Sequence, residues 1–160
     1  MNRNCDRNDN DADGLSRSRG AGSQIAATNR AAAARRRVSP DLIDALEDGE
    51  IFVFGSNIYG MHGGGAAAVA RRKFGAVMGC GEGLQGRSYA LPTMEGFEAM
   101  RTAVNRFIAF ARTRRDLKFL VTAVGCGIAG YNPAQVAPLF TDAVALENVY
   151  LPASFWDVLL

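Results

Sequence analysis

No apolar run in this chain approaches the roughly 20 residues that cross a bilayer, so neither a membrane-spanning helix nor a membrane partner is expected. Histidine and tryptophan occur once each. The three cysteines (Cys5, Cys80 and Cys126) are odd in number and lack metal-ligand spacing. Neither a disulfide framework nor a metal site is expected from them, and a reduced, cytoplasmic setting fits that usage. No GxxxxGK[ST] stretch occurs, which excludes an ordinary P-loop. No cofactor is called for by any motif, and no internal repeat is present.

What the chain does have is 160 residues, enough for one domain with a real core, and an ordinary 48% apolar content. Its net charge of +2 is unevenly distributed. Residues 1–37 hold eight arginines and four aspartates, whereas residues 38–160 hold ten basic and twelve acidic residues. The basic character therefore belongs to the N-terminal segment. That segment is rich in Asn, Asp, Arg, Ser and Gly and poor in large apolar residues, so residues 1–37 are expected to form a disordered basic tail that packs against nothing. Nucleic acid is an expected partner only through that tail. Residues 38–160 are expected to form the folded, ligand-binding domain.

From residue 38 the punctuation is regular. Ser39 as N-cap and Pro40 at the first helical position predict a helix over 38–46. "IFVF" (51–54), "SYALP" (88–92), "FLVTAVG" (119–125) and "NVYLP" (148–152) read as strands. Phe97, Met100, Val104, Phe107, Ile108 and Ala111 recur at helical steps, which predicts an amphipathic helix over 96–113. "GAAAVARRKFG" (65–75) is helix-competent, Asn132 and Pro133 open another helix, and residues 153–160 can close with a short one. Strands alternating with helices imply an α/β fold with a largely parallel sheet. The strands at 51–54, 89–91 and 119–124 are expected to be adjacent or near-adjacent.

Three glycine-rich segments interrupt this order: "GSNIYGMHGGG" (55–65), "GCGEGLQGRS" (79–88) and "GCGIAGYNP" (125–133). The first and third follow strands. In an open parallel sheet ligands bind beyond the carboxyl ends of the strands, and unshielded backbone N–H groups at a helix start attract phosphate. The glycines thus predict a ligand that the backbone itself holds. Gly125, Gly127 and Gly130 spell GxGxxG, a weak pattern alone, because no acidic residue follows at the end of a strand.

The ordered set "FVFGSN", "GGGAAAVARRKFG", "SYALPT" and "LVTAVGCGIAGYNPAQVAPLF" resembles a macrodomain over residues 50–152, and "GEGLQGRSYA" resembles a short bacterial and phage subgroup of such proteins. The resemblance implies a three-layer α/β/α sandwich that binds ADP-ribose or a related nucleotide, free or on a protein. By that resemblance Asn57 lies at the distal ribose, with Gly63, Gly64 and Gly65 approaching it, and its neighbour Ser56 is a ligand-binding candidate. Gly125, Cys126, Gly127, Ile128, Ala129 and Gly130 surround the diphosphate, with Tyr131 beside the ribose.

The chemistry of single residues adds candidates. Gln85 and Ser88 can pair with hydroxyls or phosphate. His62 and Glu82 are the titratable groups of the glycine-rich loops suited to acid–base catalysis. Three functions remain open: a hydrolase acting on an ADP-ribosyl or phosphate ester bond, a non-catalytic reader of such a ligand, and a Rossmann-like nucleotide hydrolase.

Overall fold

A computed structural model describes residues 24–35 and 37–160. Five strands, β1 (Glu50–Ser56), β2 (Gly83–Gln85), β3 (Ser88–Pro92), β4 (Lys118–Val121) and β5 (Val149–Tyr150), form one sheet in the order β2-β3-β1-β4-β5. β3, β1, β4 and β5 are parallel, and the short β2 pairs antiparallel with β3 at one edge. The expected neighbours of β1 are therefore its actual neighbours. The helices are α1 (Gln24–Arg35), α2 (Gly65–Lys73), α3 (Phe97–Thr113), α4 (Pro133–Val136) and α5 (Ala153–Leu159), with a 3₁₀ segment over Ala137–Ala143. Among the described residues no helix is long and apolar enough to cross a membrane.

Alternation along β1 divides the core. Ile51 and Val53 pack in one cluster with Met100, Val104, Phe107 and Ile108 of α3. Phe52 and Phe54 pack in another with Ala67, Ala70 and Phe74 around α2. Both outcomes follow from the period-2 geometry of a strand whose middle positions, 51–54, are all apolar. The stripe read along α3 is its buried face, Phe97 being the partly covered member. Because α2 leads from β1 to β3 and α3 leads back to β4 on the other side, the chain reverses direction at β1. In open parallel sheets generally, ligands bind beyond the carboxyl ends of the strands at such a reversal.

Two expectations fail. No helix forms over 38–46. Ser39 spends its hydroxyl on the Val121 carbonyl (2.6 Å) instead of capping, and its N–H bonds to Leu151 (2.9 Å) while Val38 bridges Leu151. The chain is stretched along β5 by those bonds, and local capping preference yields to them. The second failure concerns the tail. Residues 1–23 lie outside the described residues, but 24–35 form the Ala-rich helix α1, and Ala34 is in the core. Arg37 is buried. Its guanidinium donates to the carbonyls of Leu146, Val149 (2.9 Å) and Val144 (2.6 Å) and lies 5.3 Å over the Trp156 ring. Trp156 Nε1 in turn donates to the Arg37 carbonyl (2.8 Å). The folded part therefore begins earlier than composition suggested, because one arginine satisfies carbonyls left over by the 3₁₀ segment and the turn before β5.

Truncating Arg37 strands buried carbonyls, each costing roughly 1–3 kcal/mol when left without a donor. Arg37→Ala is expected to lower unfolding free energy by about 3 kcal/mol or more, read from the midpoint of a urea titration. An unchanged midpoint would show that the three carbonyls are satisfied without it.

Candidate functional site

The glycines of the 55–88 region fall into two groups by what a side chain would meet. A Cβ on Gly60 would sit 2.3 Å from the Cys80 nitrogen, and one on Gly81 would sit 2.4 Å from the Asn57 carbonyl oxygen. These glycines let the turn at 57–60 and the segment 79–81 pack backbone against backbone. Gly60 also has φ of +65°, a conformation that side chains rarely tolerate. The contact is sealed by the Gly79 N–H on the Gly60 carbonyl (2.9 Å). In contrast, nothing lies within 4 Å of a Cβ built on Gly63, Gly64, Gly65, Gly127 or Gly130. Those positions are open, at the carboxyl ends of β1 and β4.

Most polar residues expected at a ligand serve the first group instead. Ser56, 4% exposed, donates to the Gly81 carbonyl. Gln85, equally buried, donates to the Cys80 carbonyl (2.8 Å) and accepts the Val77 N–H (2.8 Å). Ser88, fully buried, donates to the Gln85 carbonyl (2.8 Å). Ser56, Gln85 and Ser88 are braces of the loop, a correction to their expected ligand role. Asn57 is half-exposed and brackets its own turn, accepting from the Met61 N–H (3.1 Å) and donating to the Met61 carbonyl (3.2 Å). Arg87, an exposed residue, ties Leu46 and Glu47 at the opposite edge of the sheet.

His62 is the clearest correction. Its ring is 0% exposed, stands edge-on to Phe54 at 5.2 Å, and bonds through Nε2 to the Cys80 carbonyl (3.1 Å). A carbonyl can only accept, so Nε2 carries the proton, and Nδ1 is buried without a partner. The residue anchors the chain ahead of Gly63 and offers no face to a substrate.

Glu82 is reachable but occupied. Both its oxygens accept from Arg106 of α3, one of them from Nε at 2.8 Å. That hydrogen bond raises the Arg106 pKa above its usual value. Burial, and after it the nearby Glu82 charge, pushes the Tyr89 hydroxyl pKa up. Glu82 lies in a cleft of about 260 Å³ between the Ile58–Gly81 contact on one side and Pro92, Glu95, Ala99 and Arg106 on the other. Glu95 and Arg106 were not read from the sequence. Glu95 stands two residues after "SYALPT", the one signal that could have found it; it accepts the Ile58 N–H at 2.9 Å.

The second glycine loop closes on itself at one end. The Gly125 position touches Met100, Val136 and Tyr131, and Tyr131 packs on Phe97 at 5.7 Å while its N–H bonds to Gly125 (3.0 Å). Gly55 and Gly125 approach each other, a Cβ on the former lying 3.7 Å from the latter's nitrogen. The two loops therefore meet at their bases. Beyond that base, Gly127–Gly130 make a tight turn that leaves Ile128 94% exposed and Ala129 half-covered. Burial pushes the Cys126 thiol pKa up, the opposite of an activated thiolate.

The helix starts differ as well. At α4, Asn132 and Gln135 bond each other's backbone N–H groups in a capping box. At α2, Gly64 provides no side-chain cap, and no acidic residue occupies the first turn, so its leading N–H groups keep their donor capacity. Among the described residues no group of His, Cys, Asp and Glu has the geometry of a metal site.

Gly81→Ala forces two backbones apart and is expected to destabilise by ~2 kcal/mol or more. Gly63→Ala meets open space and is expected to change stability by less than about 0.5 kcal/mol. Thermal melts of the two variants decide it; equal losses would mean the contact at Gly81 is looser than described. Compared with known protein families, curated proteins and solved structures, the chain matches none.

Proposed function

We propose that this chain binds ADP-ribose or a related nucleotide derivative at the carboxyl edge of its sheet, on a three-layer α/β/α fold of the macrodomain kind. One observation carries the reading. The glycines at 63–65, 127 and 130 are open, while those at 60 and 81 are consumed by packing. Gly65 and Gly130 have the left-handed backbone that calls for glycine, but Gly63, Gly64 and Gly127 are open without it, so neither packing nor turn geometry accounts for these three.

The chemistry agrees with a phosphate-bearing ligand. The uncapped start of α2 presents backbone donors and the positive end of a helix dipole. The self-capped start of α4 does not, so the phosphates belong nearer Gly64, and the 125–131 turn supplies a flanking wall. Asn57, half-exposed between them, keeps its turn in shape for this.

Binding without catalysis is the reading that the side chains favour. His62 is buried, and both oxygens of Glu82 are taken by Arg106. Backbone N–H groups can hold a diphosphate but cannot move a proton. The chain in this reading is a reader or sequestering protein for its ligand.

Calorimetric titration with ADP-ribose, AMP and NAD side by side tests this, and ADP-ribose is expected to bind tightest. Gly127→Val, whose added atoms enter open space, should keep the parent's melting temperature and lose ADP-ribose binding. Parent-like affinity in that variant would take the 125–131 turn out of the site, and no heat with any of the three ligands would remove the nucleotide reading. Incubation with an ADP-ribosylated protein should leave the modification in place; release that Glu82→Gln abolishes would replace the reader by a hydrolase.

A further inference from the structure

The cleft between the Ile58 turn and α3 lies apart from the open glycines, and no role described so far uses it. Its volume of about 260 Å³ falls below the roughly 300–1,000 Å³ of pockets that enclose a drug-sized ligand. It admits a group the size of a side chain and not a nucleotide. Ile58, Pro92 and Ala99 give it apolar walls, and Glu82, Glu95 and Arg106 give it polar ones.

The polar groups are unequally satisfied. Glu82 and Arg106 offset each other through a two-point hydrogen-bonded pair. Glu95 has one oxygen, Oε1, on the Ile58 N–H. Its other oxygen, Oε2, is buried and has no donor. Glu95 thus carries the one charge in the lining that no cation offsets, and a carboxylate oxygen withdrawn from water without a donor is costly to maintain.

We propose that this cleft binds a primary alkylammonium group, the ammonium donating to Glu95 Oε2 and the methylenes lying against Ile58, Pro92 and Ala99. An anion would meet the Glu95 charge, and a neutral alkyl chain would leave Oε2 unpaired. A guanidinium needs two acceptors side by side for its planar fork, whereas a compact ammonium needs one. Only one oxygen is free here. Oε2 is covered in the unliganded protein. Binding therefore needs a local movement of the lining, in which Ile58, 55% exposed, has room to take part. The ammonium belongs either to a free small amine or to a lysine side chain. The inference does not depend on nucleotide binding.

Residue-resolved NMR titration of the full chain with n-butylammonium chloride tests it, with 1-pentanol as the neutral counterpart and sodium chloride held constant. Saturable shifts are expected at Ile58, Gly81 and Glu95 with the amine and not with the alcohol. Glu95→Gln keeps an acceptor for the Ile58 N–H and should weaken the amine by about tenfold or more, as loss of a charge-assisted bond does. Tighter binding of N-acetyl-lysine N-methylamide than of butylammonium identifies a lysine side chain as the source, and weaker binding a free amine. Equal shifts from alcohol and amine in the parent, no shifts from either, or an unchanged amine affinity in a folded Glu95→Gln overturns the proposal.

Discussion

Two stretches of backbone touch where side chains would normally keep them apart, and the carboxyl edge of this protein depends on that contact. Gly60 and Gly81 bring the turn after β1 to within bonding distance of the segment before β2. Once they are in place, the Cys80 carbonyl becomes a shared acceptor for His62 and Gln85. The Gly81 carbonyl likewise becomes the acceptor for Ser56. A buried polar side chain is stable only with a partner, so these residues follow from the contact and do not cause it. The loop ahead of α2 is thereby held by a rigid frame, and a rigid frame is what lets a backbone present its N–H groups to a ligand without a further ordering cost.

Sheet topology supplies the other half. β1 is central, flanked on both sides by parallel partners, and its two faces are sealed by different helices. Such a strand is left open only at its two ends, and the glycine runs lie at the carboxyl one. The glycine runs after β1 and β4 meet there at Gly55 and Gly125. The open glycines and the uncapped helix start all follow strands that flank the chain reversal, although each feature is ordinary alone.

The parallel core was legible in the sequence because fully buried strands are short, apolar and bounded by glycine, and because α3 shows an unbroken helical stripe. Ser39 and Pro40 misled: the same two residues that start a helix also suit an extended segment, and only the distant Val121 and Leu151 decide between them. Glycine content announced that backbones come close at 55–88. It did not tell whether the close partner is a ligand or the chain itself, since a Gly gives the same signal in both cases. Ser56, Gln85 and Ser88 look like ligand groups, and His62 like an acid or base, for that reason. Polar residues amid glycines look functional until the carbonyls they satisfy are known. Arg106 lay on the polar face of α3, where one arginine among several carries no mark of its partner.

Arg37 links residues that are more than a hundred positions apart, through Val144, Leu146, Val149 and Trp156. On a ribosome the β5 side of the sheet therefore cannot close while those residues are still within the exit tunnel. Until then the 3₁₀ segment has no cover from α5, and the Arg37 guanidinium stays in water. The slow, non-local step of folding is thus assigned to the end of synthesis. A nascent chain stalled before residue 144 would hold a sheet with one open edge, the form most prone to pair with another copy of itself.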